Sequence, residues 1–275
     1  MNSLAKKSEE MHAEFLRRQA TSPAPKKLPK RTPPRVMKNW PENILACPNA
    51  FLRCALFGLV AKGKRKQLDK VSINSQTGLT VSVSGEELDQ DDCDVWLTLL
   101  YLARGTYSDQ KIVTSANELV RLTGRKPSTA NRQVLDERLR RLCRVSIDII
   151  EHNGVHYTGH LVGEVLGGSN RDAYEISLPP LLFEIFDAGR YTSLERTQRE
   201  ALQSHLARWL HGYYASHTAP IPVKIETIRD LCGSSSTSEN SFETQLRREL
   251  RQVAEVTDGK YQIRQGKVYW YKEKR

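Results

Sequence analysis

The chain has 275 residues, is 39% hydrophobic and carries a formal net charge of +10. This length is enough for two ordinary hydrophobic cores, and the positive charge favours a polyanionic partner such as nucleic acid. The longest apolar run, Cys54–Ala61, is far too short to cross a bilayer and no secretory signal is visible. We therefore expect a cytoplasmic protein without a membrane partner.

Residues 1–41 differ in composition from the rest of the chain. They contain six of the twelve prolines, and residues 1–40 hold ten Lys and Arg against three Glu. Proline-rich cationic segments are extended and bury little apolar surface. The sequence therefore predicts a disordered basic tail over residues 1–41, with an extended linker at Thr21–Met37.

The region after the tail combines predicted helices with a pair of strands. Hydrophobic spacing predicts a helix over Asn49–Val60, strands at Val71–Ile73 and Leu79–Val83, and the first long helix over Asp94–Ala103. The two strands are expected to extend the sheet formed by the hairpin that follows.

A cluster of six acidic residues precedes the first long helix. Paired carboxylates can hold Mg²⁺ for nuclease or polymerase chemistry, whereas acids at a helix start also complement the helix dipole. We expect the second role, with the acids solvated and no metal bound. The cluster comprises Glu86, Glu87, Asp89, Asp91, Asp92 and Asp94.

A helix–turn–helix–hairpin pattern spans residues 115–178. Ser115 is a good N-cap for a short helix that Gly124 ends. Pro127 fits the first position of a longer helix that runs to residue 143. Alternating apolar residues around Asn153-Gly154 then predict a β-hairpin.

The same order recurs over residues 224–272. Lys224–Leu231 is predicted to be a short helix ended by Cys232-Gly233, and residues 240–254 a longer helix with one apolar stripe. A basic hairpin around Gln265-Gly266 follows. The repeat predicts an α+β fold with two tandem winged-helix domains, at residues 42–187 and 188–275, preceded by the flexible basic Pro-rich tail.

Positive charge is concentrated on the two longer helices, the last hairpin and the tail. Residues 1–40 carry +7, residues 121–144 carry +6 and residues 244–275 carry +5, which leaves −8 for the rest of the chain. Arginine on a single helix is commonly just a solvated face. Two Arg-bearing helices in the same relative position favour binding to double-stranded DNA.

The longer helix of each unit is predicted to enter a major groove. Arg pairs well with guanine and Gln with adenine, so base reading is assigned to Thr129, Arg132, Gln133, Thr244 and Arg248. Phosphate binding is assigned to eight cations near the same helices and the last hairpin. These are Arg125, Lys126, Arg140, Arg247, Arg251, Lys260, Arg264 and Lys267.

Catalytic constellations are poorly supported, and no catalytic residue, metal or cofactor is predicted. No P-loop motif occurs. Of His152, His156 and His160, only the last two would share a face of the predicted hairpin, and no Cys or acid is placed as a third zinc ligand. Tyr213 and Tyr214 resemble the nucleophiles of DNA-nicking enzymes, but the required His-x-His pair is absent. We expect both tyrosines to pack inside a helix over residues 194–217, and the five cysteines, which lack CxxC spacing, to be reduced.

A family resemblance rests mainly on one segment near the C-terminus. Pro222–Thr237 reads PVKIETIRDLCGSSST and resembles the signature of the TrfA family of initiators from IncP-type plasmids. Trp40-Pro41, Cys47-Pro48-Asn49 and Gly85–Leu88 occur in a similar order to the family's. The resemblance covers about residues 40–275.

The resemblance implies a plasmid replication initiator with two winged-helix domains. Such a protein binds direct repeats (iterons) at the origin, promotes opening of AT-rich DNA, recruits the host initiator and replicative helicase, and forms dimers. The family's clamp-binding peptide, Gln-Leu-Ser-Leu-Phe, is not found in the matching stretch Thr32–Asn39. The alternatives are a winged-helix transcriptional repressor and an origin-nicking enzyme that uses Tyr213 or Tyr214.

Overall fold

The computed structural model describes residues 33–61, 63–152, 156–168, 173–187 and 189–272. Most of the predicted tail therefore lies outside the described residues, as do Asn153-Gly154. Residues 34–275 form one structural unit. None of the helices within the described ranges has the length and apolarity needed to cross a membrane.

The described residues form a mixed α/β fold. The helices are α1 (Asn49–Leu52), α2 (Gln90–Ala103), α3 (Ala116–Leu122), α4 (Thr129–Arg144), α5 (Pro180–Asp187), α6 (Arg196–Ala201), α7 (His205–Ala215), α8 (Ile225–Leu231) and α9 (Glu239–Thr257). The strands are β1 (Ile44–Pro48), β2 (Phe57–Gly58), β3 (Gln67–Ile73), β4 (Leu79–Glu86), β5 (Leu88–Asp89), β6 (Ile112–Thr114), β7 (Ser146–Glu151), β8 (His156–His160), β9 (Val165–Leu166), β10 (Tyr174–Ile176), β11 (Tyr191–Glu195), β12 (Val223–Lys224), β13 (Lys260–Arg264) and β14 (Lys267–Tyr271).

Two separate hydrophobic clusters stabilise the unit. The first draws its buried residues from Met37 to Leu194, and the second from Leu202 to Trp270. The first surrounds α2, whose Trp96 is fully buried and donates a hydrogen bond to the carbonyl of Leu161 at 3.0 Å. Each predicted helix–turn–helix unit therefore supplies its apolar stripe to a different cluster.

The predicted sheet extension in the first half is confirmed. Strands β3, β4, β7 and β8 form one antiparallel sheet in that order. Val81 lies opposite Ile149 and Val83 opposite Ile147, and all four side chains are buried. The period-2 alternation in the sequence thus places one face of this sheet against α4 and α2.

The second unit has the predicted order of elements. Ser238 caps α9 by accepting a hydrogen bond from the backbone N–H of Ser241 at 3.3 Å. Strands β13 and β14 are paired, and Gln265 and Gly266 between them have positive φ values of 49° and 68°. Two consecutive left-handed residues are what a tight two-residue hairpin requires, and glycine adopts that conformation without strain.

Four predicted helices have wrong boundaries. The helix predicted over Asp94–Ala103 begins four residues earlier, at Gln90, because Asp89 caps it. The helix predicted over Asn49–Val60 ends at Leu52, because residues 57 and 58 pair in parallel with β5. Pro127 is not the first residue of α4; Ser128 is the N-cap, and a side-chain acceptor at the cap defines the start. The helix predicted over residues 194–217 is two helices, α6 and α7, since Ser204 caps a new one.

The linkers predicted around the first half are shorter than expected. Met37 is fully buried and Val36 forms a β-bridge with Tyr107, so the extended linker predicted over Thr21–Met37 is wrong for its last residues. Near the predicted domain boundary at residues 187 and 188, Phe186 is buried and β11 pairs with β1 over five residues, so both belong to the first half.

Candidate nucleic-acid interface

One face of α9 is buried and the opposite face is exposed and cationic. Phe242, Leu246, Leu250 and Val253 are at most 1% exposed. The exposed face carries the residues predicted to contact DNA, and the structure places them together along it: Thr244, Arg247, Arg248 and Arg251. A 3.6-residue period fixes this division, since residues three and four apart share a face.

The hairpin of β13 and β14 extends this exposed face. Lys260, Arg264 and Lys267 are exposed on it. The hydroxyl of Tyr261 donates a hydrogen bond to the backbone carbonyl of Arg247 at 3.2 Å, which ties the hairpin to α9. The hairpin that carries these exposed cations is therefore attached directly to α9.

Helix α4 presents a smaller cationic face than its sequence predicts. Lys126, Thr129, Gln133 and Arg140 are exposed. Arg132 is half-buried, and its Nε donates a hydrogen bond to Asn117 Oδ1 of α3 at 3.0 Å. Its guanidinium is thus held against the preceding helix.

Asp136 of α4 does not lie on this exposed face, although its helical spacing puts it on the same half of the helix as Gln133 and Arg140. Asp136 is 8% exposed and accepts a hydrogen bond from the hydroxyl of Tyr174. A buried carboxylate needs a donor, and β10 supplies one. The outward face of α4 therefore lacks this acid.

The acidic cluster at the start of α2 provides the counterions for inward-pointing arginines. Asp91 Oδ2 lies 2.6 Å from Arg138 Nη2 and 2.8 Å from Arg125 Nη2, while Asp91 Oδ1 lies 2.9 Å from Arg208 Nη1 of α7. Asp92 is fully buried and faces Arg141 at 2.6 Å. The predicted solvent role is therefore wrong for these two acids.

Two neighbouring carboxyls of this cluster have opposite pKa shifts. Burial raises the pKa of Asp91, but the hydrogen bond with His205 and the guanidiniums of Arg138, Arg208 and Arg125 outweigh burial and hold it well below its usual range. Burial and the neighbouring Asp89 carboxylate raise the pKa of Asp92 to about 6. The helix-capping part of the prediction is confirmed for Asp89, which accepts hydrogen bonds from the N–H groups of Asp91 and Asp92.

A metal ion would compete with these arginines. Asp89, Asp91 and His205 bring one ligand atom each within 4.8 Å of one another. Asp91 already faces three guanidiniums and Asp89 caps α2. The cluster is therefore built as an ion-pair network that joins α2 to α4 and α7.

The two adjacent tyrosines are packed, as predicted, and not poised for attack on DNA. Tyr213 is 4% and Tyr214 1% exposed. Tyr213 stacks on Trp209 at 4.9 Å and Tyr214 on Trp270 at 4.6 Å between ring centroids. Burial raises the pKa of both phenols, which disfavours the phenolate that a nucleophile requires.

Sequence reasoning missed one polar residue beside the exposed face of α9. Glu249 is fully buried, and its carboxylate accepts hydrogen bonds from Ser204 at 2.6 Å and from Arg248 at 2.6 and 2.9 Å. Its position three residues after Leu246 and four before Val253 is an apolar-stripe position. That spacing is the signal that could have identified Glu249 as buried.

Comparison with known proteins gives matches that cover most of the chain. The family model described as TrfA protein matches residues 35–258. The plasmid replication initiator protein TrfA of Escherichia coli is 26% identical over 214 residues, which is 75% of this chain and 56% of that protein. The chain thus spans little more than half the length of this relative.

Two solved structures have a similar fold. Domains 2 and 3 of RctB match with a TM-score of 0.54 at 16% identity, covering 82% of this chain and 96% of that chain. The Pi initiator protein, solved in complex with iteron DNA, matches with a TM-score of 0.50 at 9% identity, covering 66% of this chain and 92% of that chain. At these identities the likeness concerns the fold alone.

Proposed function

Because this chain belongs to the TrfA family, whose model it matches over residues 35–258, we propose that it is a plasmid replication initiator that binds double-stranded DNA. The observation that carries the proposal is that α9 exposes Arg247, Arg248 and Arg251 and is tied to a hairpin with exposed cations. A helix with exposed Arg and Thr side chains fits the major groove, and a basic hairpin fits the adjacent phosphates.

The chain acts through two tandem winged-helix domains that dock on one duplex. The first contributes α4 and the hairpin of β7 and β8, and the second contributes α9 and the hairpin of β13 and β14. Base edges are read by Thr129, Gln133, Thr244 and Arg248, with Arg132 reaching the groove only if it leaves Asn117. Docking of one domain makes the second contact intramolecular, which raises the overall affinity.

At the origin the protein binds direct repeats, promotes opening of adjacent DNA and brings in the host initiator and replicative helicase. Two copies of the chain form a dimer that restrains plasmid copy number. These steps place the protein in the bacterial cytoplasm, where plasmid DNA and the host proteins are. They involve binding and no covalent chemistry by this chain.

The direct test selects duplexes from a random library with the full chain. We expect enrichment of one recurring sequence, which is then sought as direct repeats in the plasmid that carries the gene. Supplying the protein in trans should allow a plasmid bearing those repeats to replicate. Recovery of unrelated sequences would contradict base reading, and silencing of a promoter without replication would identify a repressor instead.

Arg248→Ala and Lys267→Ala are expected to weaken DNA binding in different ways. Arg248→Ala should cost about 1–3 kcal/mol of binding free energy and relax the choice of base at one position of the selected sequence. Lys267→Ala should weaken binding to all duplexes alike, because a phosphate contact carries no sequence information. Fluorescence anisotropy with the selected duplex and its single-base variants measures both, and equal losses for the two variants on every duplex would contradict the assignment.

A further inference from the structure

We propose that Glu249 is a specificity-determining residue, because its buried carboxylate orients Arg248 for base reading. The inference rests on the proposed function. It adds that Glu249 holds Arg248 in the orientation needed to read a base. Glu249 does not itself face the DNA. It acts through Arg248 and is therefore a positioning residue.

The two oxygens of the Glu249 carboxylate have different partners. Oε2 accepts a hydrogen bond from the hydroxyl of Ser204 at 2.6 Å, on the inner side. Oε1 accepts from Nε and Nη2 of Arg248 at 2.9 and 2.6 Å, on the outer side. Ser204 is itself fixed, since its hydroxyl accepts from the N–H of Ala207 at the start of α7. A chain of hydrogen bonds therefore runs from a neighbouring helix to the exposed guanidinium.

Burial makes this contact persistent. The Glu249 side chain is 1% exposed, whereas that of Arg248 is 67% exposed. An ionised carboxylate that has left water needs a cation and hydrogen-bond donors, and Arg248 supplies both. Departure of Arg248 would leave a buried charge without its counterion, so the guanidinium stays in place although it lies at the surface.

The geometry suits base reading better than phosphate binding. Nε and one hydrogen of Nη2 are used by Glu249, which leaves the remaining Nη1 and Nη2 hydrogens as a free fork. Such a fork matches the paired acceptors of guanine, and holding it in one orientation reduces the ordering cost on binding. A carboxylate at its side also weakens its net attraction for a phosphate.

Arg247 on the same helix provides the matched comparison. It pairs with Glu243 one turn earlier, but both side chains are open to water, at 51% and 36% exposed. A solvated pair of this kind exchanges readily with water and salt. Removing Glu243 therefore changes the local charge of α9 without releasing a guanidinium from a buried anchor.

The test measures base discrimination with the full chain and the duplex selected as described above. The position of interest is the one whose discrimination Arg248→Ala abolishes, expected to be about tenfold in the unaltered protein. Glu249→Met keeps the side-chain volume and removes the acceptor. Because the Arg248 side chain is 67% exposed, the change does not leave its charge buried without a partner, and the fold should stay intact. We expect Glu249→Met to reduce discrimination at that position below about threefold and to leave it unchanged at other positions. The double variant Arg248→Ala/Glu249→Met should discriminate no worse than Arg248→Ala alone.

Two further variants separate orientation from charge and folding. Glu243→Gln should leave discrimination at the same position unchanged. Glu249→Asp keeps the buried charge and the contact with Ser204 but is one methylene shorter, so it should also lose discrimination; it decides the question if Glu249→Met does not fold. Folded Glu249→Met or Glu249→Asp that discriminates like the unaltered protein would overturn the proposal. Failure of the proposed function would be seen separately. In that case Arg248→Ala itself would have no effect on base choice.

Discussion

Raising the salt concentration from 50 to 200 mM is expected to weaken DNA binding by a factor on the order of a thousand. Of the eight cations assigned to phosphates, Arg125 pairs with Asp91 and Arg247 with Glu243. Lys260 also has a partner within the protein. If the five remaining cations each neutralise one phosphate, each contact releases a counterion from the duplex. The slope of log K against log salt concentration should then be about −4.5, since B-DNA gives about −0.9 for each contact.

Anisotropy titrations of one labelled duplex at four or more salt concentrations measure this slope. Arg251→Ala, which removes an exposed cation of α9, should reduce the slope by about one. Arg138→Lys is the matched control, because Arg138 points inward to Asp91 and should not change the slope. A slope close to zero in the unaltered protein would contradict electrostatic docking on DNA.

Replacing Asp91 by Asn is expected to lower the free energy of unfolding by about 3–5 kcal/mol. The Asp91 carboxylate pairs with Arg125, Arg138 and Arg208. The change leaves these three guanidiniums around a neutral amide. Breaking a buried ion pair by removing one partner is costly because the remaining charges stay out of water. Urea unfolding at pH 7, followed by tryptophan fluorescence, measures the loss.

Asp92→Asn is the matched control for this change. Its carboxyl already has a pKa raised to about 6, and its partner Arg141 also faces Glu86 at 3.4 Å. Its neutralisation should therefore cost less than about 1 kcal/mol at pH 7. Equal losses from the two Asn variants would contradict the roles assigned to the two carboxyls.

The opposite pKa shifts of Asp91 and Asp92 should give the free energy of unfolding two opposite pH dependences. The pKa of Asp91 is lowered on folding, so its contribution to stability is present above about pH 4 and is lost as the pH falls through its folded pKa. The pKa of Asp92 is raised, so its contribution is present below about pH 4 and is lost as the pH rises through about 6. Asp92→Asn should remove the loss of stability between about pH 4 and pH 6. The difference in free energy of unfolding between Asp91→Asn and the unaltered protein should become smaller at low pH.

Local signals explain why the second unit could be predicted closely from the sequence. Gly233 and Gly266 adopt the positive φ values that end a helix and turn a hairpin. The four buried residues of α9 follow one another at helical spacing. Each of these features depends on residues near one another in the chain, so the exposed cationic face of α9 followed from the sequence pattern.

Long-range pairing explains most of what the sequence did not predict. Phe57-Gly58 pairs with residues 88 and 89, and β1 pairs with β11 from almost 150 residues later. Neither pairing leaves a local signal. A helix was therefore predicted over Phe57-Gly58, and no strand was predicted at β1 or β11. Tertiary contacts override weak local propensity in this way.

The candidate site shows the same division between local and distant causes. Periodicity placed Arg248 and Arg251 on an exposed face, but it could not show that Arg138 and Arg141 turn towards acids in the first turn of α2. The charge of residues 121–144 is thus partly neutralised within the protein, and α4 contributes fewer cations to DNA than its composition suggests. The position of Glu249 on the apolar stripe of α9 indicated that it is buried, whereas a count of charges along the chain did not.

If α4 and α9 read bases on the same duplex, binding must depend on bases at two places. Missing-nucleoside interference on the selected duplex tests this most directly, because it reports every base that binding requires. We expect two separated clusters of required bases, with Arg248→Ala removing dependence within one cluster and Gln133→Ala within the other. A single cluster that only Arg248→Ala affects, or dependence that neither variant changes, would contradict it.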